Sequence, residues 1–226
     1  MTAYQQAQQV GQSAVRATIL DAATHLLVTD GPAALTVRRI SAEVGCSTKV
    51  IYTMFGGKDG LVEALWLEGF ARFERRLLEA SGDPDPLYRL GDIGAAYRSY
   101  ALAEPDYYRV MFHGVMRGFE PSACAKDTSR GSFGILVSVV QECLDQGRLR
   151  GAPAAEIADL IWMAVHGAVS LEISGFFGTA EAQERFNLLC SSVLSPFRPS
   201  QERTVPWLPH TEADSPRPPR RSPPST

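Results

Sequence analysis

Residues 36–58, TVRRISAEVGCSTKVIYTMFGGK, constrain the fold more than any other part of this chain. They read as two short helices joined by a tight turn. Thr36 stands where a first helix starts, and its hydroxyl oxygen can accept a backbone N–H that the helix start leaves without a partner. Val37, Ile40 and Val44 recur at helical spacing and share one face. Gly45 follows at a position where glycine adopts the left-handed conformation at little cost. Ser47 is placed to cap a second helix over about 48–55. There Ile51 and Phe55 turn back onto the first helix, which leaves Thr48, Lys49, Tyr52 and Thr53 outward, and Gly56-Gly57 stops it. A helix, a short glycine-bearing turn and a second helix make a helix-turn-helix.

The charge points the same way. Arg38, Arg39, Lys49 and Lys58 oppose only Glu43 in this stretch, whereas the whole chain has a formal net charge of −3. A locally basic helix carrying hydroxyls and a tyrosine suits phosphates and base edges. The plainer reading is an ordinary surface helix pair.

The rest of the chain reads as helical and globular. At 226 residues it allows one or two domains, and 45% hydrophobic with 21% charged residues is the balance of a soluble protein. Cys46, Cys124, Cys143 and Cys190 are widely spaced with no paired motif, so free thiols in a reducing cytoplasm are expected. His25, His113, His166 and His210 have no metal-ligand spacing, and no nucleophile elbow, phosphate loop or dinucleotide motif is present. The expectation is therefore no enzyme, no metal and no cofactor. The longest apolar run, 157–173, is broken by Asp159, His166 and Glu172, which favours a core helix over a membrane span.

Four segments follow. Residues 1–13, rich in Gln and Ala, read as a disordered arm. Residues 14–60 form the helix-turn-helix head, with Ile19, Leu26 and Leu27 on the inward stripe of its first helix. Residues 61–197 form a helical body. It opens on a long helix, runs through helices over 87–103 and 106–113, and then meets a long loop over 114–130. Ser132 caps the next helix, and two more follow over 154–177, expected to be mostly buried, and 181–194. Residues 198–226 are proline-rich and read as a disordered tail.

Residues 16–65 resemble the N-terminal DNA-binding domain of the TetR/AcrR family of transcriptional regulators. The matching marks are Ile19-Leu20, Ala22-Ala23, Gly31, Leu35-Thr36-Val37, Ile40, Gly45, Ser47, Ile51-Tyr52, Phe55 and Lys58. Lys49 departs from the family's usual small residue or proline, and Met54 from its usual histidine or tyrosine. The resemblance implies that Thr48, Lys49, Val50 and Tyr52 approach the major groove. Lys49 would donate to a guanine, the methyls of Thr48 or Val50 would meet a thymine methyl, and Tyr52, Lys58 and Thr36 would grip phosphate. Trp162, His166 and Gly167 resemble the motif of a subgroup named for its Trp-His-Gly C-terminal domain.

Trp162 and His166 are four apart and share a helix face, so they either line a ligand cavity or pack in a core. The same choice stands for Tyr97, Tyr100, Phe112, Met116 and Phe133. Gly167 and Ala168 keep one helix thin, and with Leu189 and Val193 they suit an interface between two copies, as the resemblance also implies. The expectation is an all-α, TetR-like regulator: a three-helix DNA-binding head plus a helical ligand-binding and dimerisation domain. It would bind a near-palindromic double-stranded operator as a homodimer, answer a small-molecule effector and stay off membranes. The rival is an all-α enzyme or small-molecule-binding protein whose head no longer binds DNA.

Overall fold

The computed structural model describes residues 2–80, 82–114 and 118–199. Among the described residues all regular structure is helical: α1 Ala3–Asp30, α2 Val37–Val44, α3 Thr48–Phe55, α4 Lys58–Ala80, α5 Pro86–Ala103, α6 Pro105–Phe112, α7 Ala123–Asp145, α8 Ala154–Ile173 and α9 Thr179–Leu194, closed by a single 3-10 turn.

The head is built by local rules. Thr36 Oγ1 accepts from the Arg39 N–H at 3.2 Å, and Gly45 ends α2 at φ +73. Ser47 occupies the start of α3, but its side chain makes no capping bond there. Ile19, Leu20, Leu27, Ile40 and Ile51 are fully buried in the head core. Three helices alone do not close this core, because Leu61, Val62, Ala64 and Leu65 of α4 and Val110 of α6 complete it.

Further along, Trp66, Phe70, Phe73 and Leu77 of α4 sit in the second core, with residues of α5 to α9. One continuous helix thus carries residues of both cores. Polar contacts stiffen the joint. Asp21 of α1 accepts from Tyr107 Oη at 2.9 Å and from Arg72 Nη2 at 2.7 Å. Arg72 Nε donates to Glu68 at 3.0 Å, and its guanidinium lies 4.4 Å from the Tyr107 ring centroid.

Three expectations are corrected. Residues 3–13 are not a disordered arm but the start of α1. Thr2 and Gln5 cap each other, with Gln5 N to Thr2 Oγ1 at 3.3 Å and Thr2 N to Gln5 Oε1 at 2.8 Å. That cap and the helix propensity of Ala and Gln suffice without an apolar stripe, since residues 2–15 are all exposed. The loop expected over 114–130 ends early, because α7 begins at Ala123 with Ser122 accepting from the Ala125 N–H at 3.2 Å. Ala125, 1% exposed, anchors the extra turns against the body. Ser132, expected as a cap, is buried inside the helix.

The third correction concerns α8. It is the one described helix long and apolar enough to cross a membrane by length and composition alone, yet it packs in the body against α5, α7 and α9. Only one face is covered. Ile157, Ile161, Val165 and Val169 are buried, while Leu160, Met163 and Leu171 are exposed. Arg98 of α5 holds the C-terminal end of α8, where Nε donates to Glu172 Oε2 at 2.7 Å, and Nη1 donates to Gln183 of α9.

The body ends later than composition suggests. Phe197 O accepts from the Arg150 N–H at 2.8 Å, and Arg198 is 4% exposed. The remainder of the expected tail, 200–226, lies outside the described residues.

Candidate functional site

The first candidate surface is α3. Gly45 and Gly56, both left-handed, turn the chain sharply at the ends of α2 and α3, and Ile51 and Phe55 pin α3 to the head core. Thr48, Lys49, Tyr52 and Thr53 are exposed on its other side, Tyr52 by 57%. Val50 is half-buried against the head core, so its methyls are less free than the Thr48 methyl. Thr36 is engaged as a cap through its oxygen, which leaves its O–H free to donate. Lys58 is exposed, with Nζ 3.5 Å from Pro32 O. Arg39 is paired with Asp30, so the cations that remain on this side are Arg38, Lys49 and Lys58.

The second candidate is a cavity of about 390 Å³ between α4, α5, α7 and α8, with the last residue of α6 also lining it. Four residues singled out from the sequence meet there: Tyr97, Phe112, Phe133 and Trp162. Phe70 and Phe73 complete an aromatic lining, and Ser129, Arg130, Ser132 and Asp159 also border it. The Phe133 and Trp162 rings are 5.9 Å apart, edge to face. Tyr100 does not line the cavity. Its hydroxyl donates to Gly69 O at 2.9 Å, within the α4–α5 contact. Met116 lies outside the described residues.

His166 stands behind the lining and anchors a polar cluster. Its Nδ1 is 2.7 Å from Tyr108 Oη and 3.0 Å from Tyr97 Oη, and the two hydroxyls are 3.2 Å apart. Burial lowers the His166 pKa, and His113 nearby lowers it further, so the ring is neutral near pH 7. Burial raises both tyrosine pKa values, so the phenols stay protonated. The sequence marked His166 and Tyr97 but missed Tyr108. The Tyr107-Tyr108 pair, four and five residues before Phe112, was the available signal. His113 and His166 do approach, with ring centroids 6.2 Å apart. No group of acidic, histidine or cysteine side chains among the described residues is arranged to hold a metal.

The third surface is the outer side of α8 and α9. Gly167 is exposed there, but Ala168 and Val193 pack partly on the body core, and Leu189 is half-buried. The large apolar groups that face outward are Leu160, Met163 and Leu171 of α8 and Leu188 of α9, the last 68% exposed.

Residues 19–65 match the family model described as bacterial regulatory proteins, tetR family. Residues 90–193 match the one described as tetracyclin repressor-like, C-terminal domain. No curated protein sequence is detectably similar to the chain. Among solved structures, a protein with unknown function from Rhodococcus sp. RHA1 is similar at 23% identity and TM-score 0.72, covering 82% of this chain and 96% of that one. A TetR family transcription regulator from Marinobacter aquaeolei is similar at 16% and 0.67, covering 82% and 97%. The TetR family transcriptional regulator PfmR from Thermus thermophilus is similar at 19% and 0.64, covering 78% and 96%. At such identities these structures speak for the fold.

Proposed function

The chain belongs to the tetR family of bacterial regulatory proteins, DNA-binding regulators and not enzymes, and on that premise we propose that it is a ligand-responsive repressor acting in the cytoplasm as a homodimer on a near-palindromic operator. The observation that carries this is α3: a basic, hydroxyl-bearing helix seated on a rigid core, with Thr48, Lys49 and Tyr52 free to enter a major groove. Two such helices related by a two-fold axis read two half-sites about one helical turn apart.

The second domain would supply the control. A small molecule filling the cavity between α4, α5, α7 and α8 would favour one setting of α4, and α4 continues into the head core. A ligand that prefers a setting with wrongly spaced heads lowers DNA affinity by that preference. The outward apolar face of α8 and α9 is the surface we assign to the partner copy, with Leu188 and Met163 as its exposed anchors and Gly167 as the point of close approach. The motif Trp162, His166 and Gly167 supports placing the chain in the Trp-His-Gly subgroup.

The test is a titration of the protein against DNA from upstream of its own gene, over a range of salt. Lys49→Ala is expected to cost about 1–3 kcal/mol and to relax preference at one base position. Lys58→Ala is expected to weaken all sequences alike and reduce the salt slope by about one counterion. If both variants keep the parent affinity, α3 is not the reading helix. If the parent itself binds no DNA, the rival of a binding protein with a silent head takes its place.

A further inference from the structure

We infer that Gly60 is a positioning residue for DNA reading: its lack of a side chain lets the first turn of α4 rest on the end of α3, and so sets the register between the base-reading helix and the phosphate grip at Lys58. This rests on reading α3 as the DNA-binding helix and goes beyond it in naming what aims that helix.

A Cβ at Gly60 would lie 1.9 Å from the Phe55 carbonyl oxygen and 3.1 Å from the carbonyl carbon. Backbone conformation does not require glycine there, since Gly60 lies inside α4 and its φ is not positive. Only the closeness of the two helices requires it. Gly69, further along α4, is also crowded, but its Cβ would meet the Met111 side chain at 2.8 Å, which can turn aside. The main-chain carbonyl that ends α3 has no such freedom.

The contact matters because the linker does not set the angle between the helices. α3 ends at Phe55 and α4 begins at Lys58, with Gly56 and Gly57 between them. Two glycines permit many turns and dictate none. The angle is therefore left to packing. Ile51 and Phe55 of α3 share the head core with Leu61 and Leu65 of α4, and Gly60 meets the Phe55 carbonyl. Lys58 stands two residues before Gly60, and Tyr52 three residues before Phe55, so this contact lies between the two sets of DNA-facing groups. A real Cβ does not come within 3.0 Å of such an atom, so a methyl at position 60 would part the helices by about 1 Å. Hydrogen bonds to base edges hold over about 2.7–3.2 Å and would break. The attraction between cations and phosphates decays over about 8–10 Å and would barely change.

The experiment titrates the full chain and Gly60→Ala against two probes: a duplex that the parent protein enriches from a random pool, and poly(dI-dC). The variant is expected to lose roughly ten- to a hundredfold in affinity for the enriched duplex, the size of one base contact. On poly(dI-dC) it should keep the parent's affinity and salt slope. Gly134→Ala, inside α7 where a Cβ would touch nothing, should bind both probes as the parent does. A Gly60→Ala protein that matches the parent on the enriched duplex overturns the inference. So does equal loss on both probes, which would show a head that no longer folds. In either case the parent's own enrichment leaves the DNA-reading function standing. A parent that enriches no sequence defeats that function, and this inference with it.

Discussion

Removing one carboxylate, Glu172→Ala, tests how the outer pair of helices is held to the body. The Arg98 and Glu172 side chains are 11% and 8% exposed. Two of the guanidinium nitrogens bind the two oxygens of Glu172, and the third binds Gln183, so α5, α8 and α9 meet at one charged group. Without Glu172 the guanidinium stays buried with a single neutral acceptor. Breaking such a pair costs about 3–5 kcal/mol, because the remaining charge keeps its desolvation penalty and loses its partner. Gln183 still offers one oxygen, which places this case near 3 kcal/mol by the same reasoning. For a chain of this size that lowers the melting temperature by about 6–12 °C. Circular dichroism melts read it directly. The double variant Arg98→Met with Glu172→Leu removes both charges and should recover to within about 1 kcal/mol of the parent. A buried pair is also poorly screened, so the deficit should persist in about 0.5 M salt. A melting temperature that falls by less than about 2 °C, or a deficit that vanishes in salt, would refute the reasoning. The apolar contacts of α8 alone would then hold it in place.

Two further outcomes follow from other surfaces. Leu188→Glu adds a charge to an outward position that two-fold symmetry would repeat across the axis. It should leave helix content unchanged while light scattering shows monomers and operator binding is lost; a dimer that persists would move the interface elsewhere. In the native protein a thiol reagent at mildly alkaline pH should label exposed Cys124 fast and half-buried Cys46 more slowly. Cys143 and Cys190, whose pKa values burial pushes up to about 12, should react only after unfolding; early labelling of either would show that their surroundings open in the native state.

Much of the head was legible because its rules are local. The Thr36 cap, the spacing of Val37, Ile40 and Val44 and the left-handed Gly45 each act within a few residues, so a single sequence carries them. Even there Ser47 was misjudged, since a residue type permits a cap but does not oblige its side chain to turn inward. The starts of α1 and α7 were missed for a related reason. Exposed Gln-rich or Ser-rich segments have no stripe to betray a helix, and a cap at Thr2 or a single buried contact at Ala125 tips a small balance.

The cavity was legible only in pieces. That Trp162 and His166 share a face follows from helical periodicity, but Tyr97, Phe112 and Phe133 come from three other helices, and no local signal brings them together. Tyr97 and Tyr100 look equivalent in the sequence; three residues of helical rotation send one to the cavity and the other to the Gly69 carbonyl. Asp159 seemed only a charge interrupting an apolar run, and its place in the lining depends on how α8 is rotated against α7. That rotation is a tertiary choice. α8 is apolar on most sides, so its sequence allowed several faces to be buried, and packing against α5, α7 and α9 selected one. Local hydrogen bonding and periodicity made these segments helices and gave the head its shape. Which apolar face is covered, and which side chains are left facing a cavity, was decided by contacts between residues far apart in the chain, whose energies depend on the whole packed arrangement.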